Sequence, residues 1–396
     1  MIHKFSVSNF YSFKESSEMD LTVNDHAPKT NSYIESANDN RITKVAAVFG
    51  HNASGKTNLL RVLSFLKWFI TSSFNTKPEE EIPFRPFFFN KLEDKNTFFS
   101  VTFEVNNNIY KYDLELNVKK IITERLNKNN KKLFSRIWNA EKREYNYDLK
   151  KYGVSKEFKN LIRDNVSIIS LGAQAKHELS IEIYKYWEDM ICNIVDYTIN
   201  KKDNNILTIS ENYYKNPKLK EKAEKILSQF DLGLSKIEIR ELKFDESGDK
   251  KVYIPFARHN FNNEGDDLEI PFAYESHGTI NLFSLLPKIF DCLDKGRVIV
   301  LDEFDADLHP QMLPVLIELF TTKKHNPKNA QIIFNSHNSQ ILNELDKYQI
   351  YFTEKDKNCS SCVYRLSDIE GVRSDDNYYA KYISGSYGAT PDIDLE

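Results

Sequence analysis

Short apolar runs alternate with polar segments along this chain, and the most regular pattern lies near its start. Val45 to Phe49 is apolar at every position, which predicts a buried strand. Asn58 to Ile70 carries Leu, Val, Phe and Trp on nearly every helical face, which predicts a buried helix. The eight residues between them, Gly50 to Thr57, include two glycines. The pattern therefore predicts a strand, a glycine-containing loop and a helix in direct succession.

Other parts of the chain have the period of either strands or helices. Asn106 to Asn108 separates two apolar runs and predicts the turn of a hairpin. The predicted strands are Ile2 to Val7, Phe98 to Val105, Ile109 to Leu116, Lys119 to Leu126, Lys132 to Trp138, Lys236 to Phe244, Lys250 to Phe256, Val298 to Leu301 and Gln331 to Phe334. Helical spacing predicts helices within Lys156 to Arg163, Lys176 to Val195 and Lys218 to Phe230.

Composition and charge narrow the class of protein. The 396 residues carry a net charge of −4, which gives no overall sign of a nucleic-acid-binding protein. No apolar run has the length of a membrane span, and the first residues lack the apolar core of a signal peptide. The four cysteines suit a reducing compartment. We therefore expect a soluble, cytoplasmic protein that does not enter a membrane.

Two local features allow more than one interpretation. Cys359 and Cys362 form a C-x-x-C, but a structural zinc site needs two more ligands, so a hairpin turn is the favoured interpretation. The segment from Asn117 to Lys159 contains thirteen Lys and Arg against five Asp and Glu. Its charged part, Lys119 to Lys159, is called here the basic stretch. One interpretation is that it binds DNA or an acidic partner, and the other is that it forms a solvated surface.

The glycine loop matches the phosphate-binding pattern G-x-x-x-x-G-K-[ST] in full. Its glycines allow successive backbone N–H groups to converge on phosphate oxygens, and the following helix adds the positive end of its dipole. Lys56 places a cation on the β- and γ-phosphates, and the Thr57 hydroxyl is a ligand for Mg²⁺. The predicted nucleotide-binding residues are Gly50, His51, Asn52, Ala53, Ser54, Gly55, Lys56, Thr57 and Asn58.

Carboxylates follow another apolar strand far along the chain. Val298 to Leu301 ends in Asp302 and Glu303. Ligand sites in parallel sheets lie at the carboxyl ends of the strands, where the glycine loop also opens. We therefore predict that Asp302 holds Mg²⁺ through water and that Glu303 is the general base for an attacking water molecule.

A histidine and a helix start complete the predicted chemistry. His337 lies just past the strand Gln331 to Phe334, where a neutral imidazole can bind the γ-phosphate or the water near Glu303. An apolar helix begins at Ser276, Gly278 and Thr279, and the N–H groups of its first turn are available to bind an anion.

The order of these motifs resembles the ABC-type ATPase head shared by the SMC, RecF and OLD families. Gly50 to Thr57 matches Walker A, and Val298 to Glu303 matches Walker B. The segment from Glu275 to Thr279 resembles a divergent signature motif. Asp305 to Pro310, which includes Asp305 and His309, resembles the D-loop, and His337 matches the switch histidine. Phe5 to Lys14 is similar to the first strand of these heads.

A narrower group is a better match: the stand-alone ATPases of bacterial phage-defence and abortive-infection systems, such as RloA and the AriA subunit of PARIS. The C-terminal sequence of these ATPases resembles the C-terminal sequence of this chain at Arg373, Tyr382, Gly385, Tyr387-Gly388-Ala389 and Pro391. No glutamine of this chain clearly matches the Q-loop, and Asn90 is the candidate for its place as a further Mg²⁺ ligand. We also expect an ATPase without the Toprim nuclease segment that OLD proteins carry in the same chain.

The resemblance implies an α/β fold of the P-loop, ABC-ATPase type, with a mixed core sheet, an antiparallel β lobe and a helical insertion. The implied division is 1–118 and 265–396 for the two halves of the head, and 119–264 for a basic strand segment and the helical insertion. It implies binding and hydrolysis of ATP with Mg²⁺ in a homodimer or higher oligomer, with Ser276, Gly278 and Thr279 acting on the partner's nucleotide. A separately encoded effector, for example a Toprim-type nuclease, is the implied partner. Two alternatives stay open: a RecF-like repair ATPase acting on DNA, and a nucleotide-gated scaffold with negligible turnover.

Overall fold

The computed structural model describes residues 1–89, 96–155, 157–194, 206–230, 233–243, 251–261 and 266–391. The strands of these residues are β1 (Ile2–Ser8), β2 (Ser17–Asp20), β3 (Thr22–Val23), β4 (Tyr33–Glu35), β5 (Arg41–Thr43), β6 (Val45–Phe49), β7 (Thr97–Val105), β8 (Asn108–Leu116), β9 (Ile121–Lys128), β10 (Lys131–Asn139), β11 (Glu144–Asp148), β12 (Ile191–Cys192), β13 (Leu234–Lys243), β14 (Lys251–Phe261), β15 (Asp266–Pro271), β16 (Val298–Leu301), β17 (Gln331–Asn335), β18 (Ile350–Lys355) and β19 (Ser361–Arg365). The helices are α1 (Lys56–Ser72), α2 (Ile168–Gln174), α3 (Glu178–Glu188), α4 (Ile206–Lys215), α5 (Pro217–Phe230), α6 (His277–Lys295), α7 (Met312–Thr321) and α8 (Tyr378–Ile383).

A six-stranded sheet in the order β12-β16-β17-β6-β18-β19 forms the centre of the fold. Its strands run parallel except for β19, which pairs antiparallel with β18. Successive residues of β6 face opposite sides, with Ala46 and Val48 in one hydrophobic core and Val45, Ala47 and Phe49 in the other. A parallel sheet covered on both faces requires such uniformly apolar strands. With β19 antiparallel to its neighbour, the predicted mixed core sheet is confirmed.

Helices cover both faces of the central sheet. Helix α1 contributes Leu59, Leu63 and Phe65 to the core on one face, which also contains the inner side of a second sheet. Helices α6 and α7 contribute Leu286 and Leu316 to the core on the other face. Among the helices of the described residues, none is both long and apolar enough to cross a lipid bilayer.

The second sheet has seven antiparallel strands in the order β11-β10-β9-β8-β7-β1-β2. It contains the predicted hairpin of β7 and β8 and confirms the antiparallel lobe. The domain boundary expected between 118 and 119 falls between β8 and β9, which pair with each other. The boundary expected between 264 and 265 likewise falls between the paired strands β14 and β15. Neither boundary therefore separates one sheet from another.

An ion pair is buried beneath the antiparallel sheet. Arg136 and Glu124 lie 2.7 Å apart, and neither side chain is exposed to solvent. Glu124 also accepts hydrogen bonds from the Tyr112 hydroxyl at 2.7 Å and the Ser167 hydroxyl at 3.0 Å. Arg136 donates to the carbonyl oxygen of Arg163 at 2.9 Å. These bonds join the sheet to the segment that leads into α2.

We expect Glu124→Ala to lower the free energy of unfolding by about 3–5 kcal/mol, because it leaves the guanidinium of Arg136 buried without its counter-charge. Chemical denaturation measures this change. Asp148→Ala is the matched control, because the Asp148–Lys132 pair on neighbouring strands is solvent-exposed and its loss should change stability little. Equal stabilities of the two variants would contradict a role for the buried pair.

Candidate functional site

The predicted phosphate loop lies where β6 ends and α1 begins, at the carboxyl end of the parallel sheet. Two of its positions require glycine because of backbone geometry and space. Gly50 has φ 149°, and a Cβ there would lie 2.4 Å from the carbonyl oxygen of Thr353. Gly55 has φ 114°, and a Cβ would lie 2.5 Å from the hydroxyl of Ser361. The loop therefore fits closely against β18 and β19.

Lys56 lies folded over the loop that precedes it. Its ammonium donates to the carbonyl oxygens of Gly50 at 2.8 Å and His51 at 3.1 Å. Burial lowers the pKa of Lys56, while the negative charges of nearby carboxylates, first Asp302, oppose that change. The cation is thus held at the mouth of the loop, where a phosphate would offer a stronger counter-charge than the two carbonyl oxygens.

The two most specific motifs of the sequence meet at one hydrogen bond. The Thr57 hydroxyl, in the first turn of α1, donates to Oδ1 of Asp302 at 2.9 Å. Asp302 follows β16, so the carboxylate comes from a strand two positions from β6 in the sheet. The structure therefore brings Thr57 and Asp302 together, although 245 positions separate them in sequence.

Two asparagines that sequence reasoning did not identify hold Asp302. The side-chain amide of Asn335, at the end of β17, also donates to Oδ1 of Asp302. Asn193, which follows β12, donates from Nδ2 to the Asp302 carbonyl at 2.9 Å and accepts from the Asp302 N–H at 2.7 Å. These side-chain bonds continue the contact between the two segments beyond Cys192 and Val300, the last paired residues of β12 and β16. Asn335 directly follows the predicted strand Gln331 to Phe334, whereas nothing in the local sequence indicates a role for Asn193.

Glu303 has an uncommon backbone conformation. Its φ is 51°, in the left-handed region that a glutamate seldom occupies. Its N–H donates to Oδ1 of Asn335 at 2.6 Å, so one asparagine side chain contacts both predicted acidic residues. The Glu303 side chain is exposed. Strained backbone of this kind is concentrated at functional sites, which agrees with a carboxylate directed toward a ligand.

Asp305 and His337 lie side by side after β16 and β17. The carboxylate of Asp305 accepts from the backbone N–H of His337 at 3.0 Å and of Asn338 at 2.9 Å. The carboxylate thus fixes the loop that carries the histidine, and the His337 side chain is exposed on the same edge of the sheet as Glu303.

The predicted signature residues lie at the start of α6, against the segment predicted as the D-loop. Ser276 caps the helix by accepting from the Thr279 N–H at 3.1 Å. A Cβ on Gly278 would lie 2.4 Å from the carbonyl oxygen of Asp307, so this glycine allows a close backbone contact. His309, also predicted in the D-loop, is exposed and accepts from the Gln311 N–H at 3.3 Å, before α7.

The remaining predicted loop residues divide into buried or half-buried, anchored positions and exposed ones. Ser54 shares a hydrogen bond of 2.7 Å with the hydroxyl of Thr353. Asn58 donates to the Ser12 hydroxyl at 3.0 Å, which ties α1 to the turn after β1. Asn52 and Ala53 form the exposed tip of the loop, and Ala53 has φ 63°.

Two further binding predictions concern the Q-loop position and the basic stretch. Asn90, the candidate ligand in place of the Q-loop, lies outside the described residues. In the basic stretch, several cations already have partners: Arg136 pairs with Glu124, Lys132 with Asp148, Lys120 lies over the ring of Trp138, and Lys159 lies over that of Tyr147.

Cys359 and Cys362 lie in the turn and strand of the β18–β19 hairpin, which confirms the hairpin interpretation.

The donor set fits Mg²⁺. Mg²⁺ prefers oxygen ligands and commonly uses one or two protein oxygens together with substrate phosphates. The Thr57 hydroxyl and the Asp302 carboxylate supply two such oxygens within hydrogen-bond distance of each other, beside the phosphate loop.

Two comparisons with known proteins found matches to this chain. Residues 45–343 match the sequence model of the family described as "AAA domain, putative AbiEii toxin, Type IV TA system". The fold is similar to that in a crystal structure of the SmcHead bound to the C-winged helix domain of ScpA, with 12% sequence identity and a TM-score of 0.49 over 92% of this chain and 97% of that one. No curated protein matches the sequence.

Proposed function

The chain belongs to this AAA-domain family of ATPases, and from that premise we propose that it binds ATP with Mg²⁺ in the loop Gly50 to Thr57 and hydrolyses it slowly. The observation that carries the proposal is the hydrogen bond between Thr57 and Asp302. It joins a complete phosphate-loop motif to the acidic end of a neighbouring strand, as a site for a nucleotide with its metal requires.

Each residue has a defined part in the proposed reaction. Loop N–H groups and Lys56 bind the phosphates, and Thr57 and Asp302 would hold Mg²⁺, which offsets phosphate charge when bound. The Glu303 carboxylate accepts a proton from the attacking water as the water oxygen bonds to the γ-phosphorus. The bond from that phosphorus to the β–γ bridging oxygen breaks, and ADP leaves. Asn335 holds Glu303 and Asp302 in a fixed relation through its side-chain amide. His337, on the adjoining loop, hydrogen-bonds the γ-phosphate.

Release of inorganic phosphate from purified protein tests this function. We expect turnover that requires both ATP and Mg²⁺ and that is lost in the Lys56→Ala chain. Binding of ATP without measurable turnover would instead favour the nucleotide-gated scaffold. Absence of both binding and turnover would contradict the proposal.

Asn335→Ala should lower kcat for ATP by roughly ten- to hundredfold, the usual effect of removing a group that orients catalytic ligands. The variant leaves the Glu303 N–H and the Asp302 carboxylate without their shared partner. Asn326→Ala is a matched control, because Asn326 is equally buried and hydrogen-bonds the backbone of Ala330. Ala330 directly precedes the first residue of β17, whereas Asn335 is its last residue. That control should lose stability but keep its kcat. Equal kcat values for the two variants would contradict a role for Asn335 in ATP hydrolysis.

We further propose that two heads close around ATP, each supplying its Ser276 end of α6 to the other's nucleotide. Ser276 lies exposed at a helix N-terminus, and among the contacts described its hydroxyl bonds only Thr279, at that residue's N–H and hydroxyl. The N–H groups of that first turn are suited to an anion. ATP would then hold the dimer together, as the resemblance to ABC-type heads implies.

Ser276→Arg should therefore bind ATP, fail to dimerise and fail to hydrolyse it, because a bulky cation blocks closure while the phosphate loop stays intact. Mixing it with Lys56→Ala chains should restore part of the activity. In that heterodimer, one site combines an intact phosphate loop with an intact Ser276, and the other carries both defects. A mixture that stays inactive, with subunit exchange shown by tagged pull-down, would contradict a shared site or mean that both sites must act together.

The biological role we propose is that of a sensor or scaffold subunit in a bacterial anti-phage system, which controls a separately encoded effector. The family description refers to a toxin–antitoxin system, and such a system pairs one chain with another. The RecF-like alternative depends on the basic stretch, in which several cations have partners within the chain. Filter binding of duplex DNA at two salt concentrations separates these proposals, since phosphate contacts produce a steep salt dependence.

A further inference from the structure

The C-terminal segment from Tyr382 to Pro391, called here the tail, contacts the phosphate loop directly. The backbone N–H of His51 donates to the carbonyl oxygen of Ala389 at 3.0 Å. Ala389 has no solvent exposure and has φ 55°, a conformation that alanine seldom adopts. The tail is therefore held in an uncommon shape at the point where it reaches the loop, and strain of this kind is concentrated where position matters.

We propose that the tail is a positioning element of the nucleotide site: it holds the phosphate loop in its binding shape and thereby sets the affinity for ATP. This inference rests on the proposed function only in taking ATP as the ligand of the loop. The proposed mechanism assigns the tail no other part.

Two tyrosine hydroxyls hold the tail in place. The Tyr382 hydroxyl donates to the carbonyl oxygen of Ala389 at 3.1 Å, the same oxygen that accepts from His51. The Tyr364 hydroxyl, on β19, donates to the carbonyl oxygen of Tyr387 at 2.8 Å. Gly388 lies between these two points with φ 71°, and a Cβ there would lie 2.8 Å from the Tyr364 hydroxyl. The turn at Gly388 thus needs glycine for both its conformation and its space.

Stacked aromatic rings fix the tail to the strands beneath the loop. The ring of Phe352, on β18, is parallel to that of Tyr382 within 11°, with centroids 5.2 Å apart. The same ring lies 6.1 Å from Tyr387 and 6.4 Å from Phe49, the residue before Gly50. A shift of the tail would therefore disturb the packing at the end of β6 as well as the His51 hydrogen bond.

The loop is held from a second side by the hairpin of β18 and β19. The Ser361 hydroxyl donates to the Ser54 carbonyl at 2.7 Å, and Thr353 bonds the Ser54 side chain. The tail holds His51 and the hairpin holds Ser54, so the two anchors bracket the exposed tip of Asn52 and Ala53. Fixed anchors on both sides reduce the ordering that the loop must undergo when phosphate binds, and such preorganisation raises affinity.

The test removes the two hydroxyls while keeping the rings. We expect Tyr364→Phe with Tyr382→Phe to raise the Kd for labelled ATP by roughly five- to thirtyfold, the range given by loss of one to two hydrogen bonds. Tyr378→Phe is the matched control, because its hydroxyl on the same helix α8 bonds the Arg373 carbonyl at 3.1 Å and does not contact the loop. That control should keep the wild-type Kd. If the double variant does not fold, each single variant serves.

Hydrogen exchange of the peptide that spans residues 50–56 provides an independent readout without nucleotide. Exchange should become faster in the double variant and stay unchanged in Tyr378→Phe, while both keep similar unfolding temperatures. Faster exchange with an unchanged Kd would overturn the positioning role, and unchanged exchange would overturn the contact itself. A wild-type chain that binds no ATP would refute the proposed function, but the exchange measurement would still decide whether the tail holds the loop.

Discussion

Replacing Lys56 by alanine should abolish useful nucleotide binding. Lys56 is nearly buried at the mouth of the phosphate loop, and in the proposed complex its ammonium pairs with the phosphates. Truncation of one partner of a desolvated charge pair costs about 2–5 kcal/mol, which corresponds to an affinity loss of roughly 30-fold to several thousandfold. Equilibrium binding of labelled ATP measures the change.

The experiment needs a control for the loss of a positive charge and for the loop's own stability. Lys185→Ala removes a lysine from the exposed side of α3 and should bind ATP as the wild type does. Because Lys56 also bonds the carbonyl oxygens of Gly50 and His51, thermal unfolding of each variant should be compared as well. Wild-type affinity in a folded Lys56→Ala chain would refute the assignment of the phosphate loop.

Glu303→Gln should bind ATP normally and lose hydrolysis by about 10²–10⁴-fold, the usual contribution of a general base. The amide keeps the shape of the side chain and the backbone bond from Glu303 to Asn335, but it accepts a proton far less readily than a carboxylate. Single-turnover kinetics with saturating ATP separates the chemical step from binding.

Glu318→Gln makes the same change of charge on the exposed side of α7 and should leave hydrolysis unchanged. If Glu303→Gln keeps its hydrolysis rate within about threefold of wild type, far below the loss expected for a general base, then another group accepts the proton. His337 is the first alternative, because its loop is fixed beside Glu303 by Asp305.

The sequence predicts those parts of the molecule whose signal is local. Val45 to Phe49 forms a strand because every residue is buried in one of two cores, and the glycines that follow it mark the loop. The acidic pair after β16 is equally visible, since a short apolar run ends in two carboxylates. Parallel pairing places these strand ends at one edge, so the approach of Thr57 to Asp302 follows from the fold class.

Contacts between distant segments could not be predicted in the same way. Asn193 lies 109 positions from Asp302, and its role depends on β12 being the edge strand next to β16. The bond between His51 and Ala389 depends on the turn of the tail, which no periodicity indicates. The polar residues Asn260, Asp266 and Asp267 lie in β14 and β15, although such residues are more typical of loops. Exposed antiparallel strands tolerate polar residues, so polarity alone misleads there.

The measurement that tests the central claim most directly is the molar mass of the Glu303→Gln chain by light scattering, with and without ATP and Mg²⁺. A head that closes around ATP and cannot hydrolyse it should change from its nucleotide-free mass to a stable assembly of twice that mass. ADP should not produce this assembly, and neither should ATP with a chain that also carries Ser276→Arg. A mass that stays the same at saturating ATP, with binding confirmed in the same sample, would contradict an ATP-held dimer.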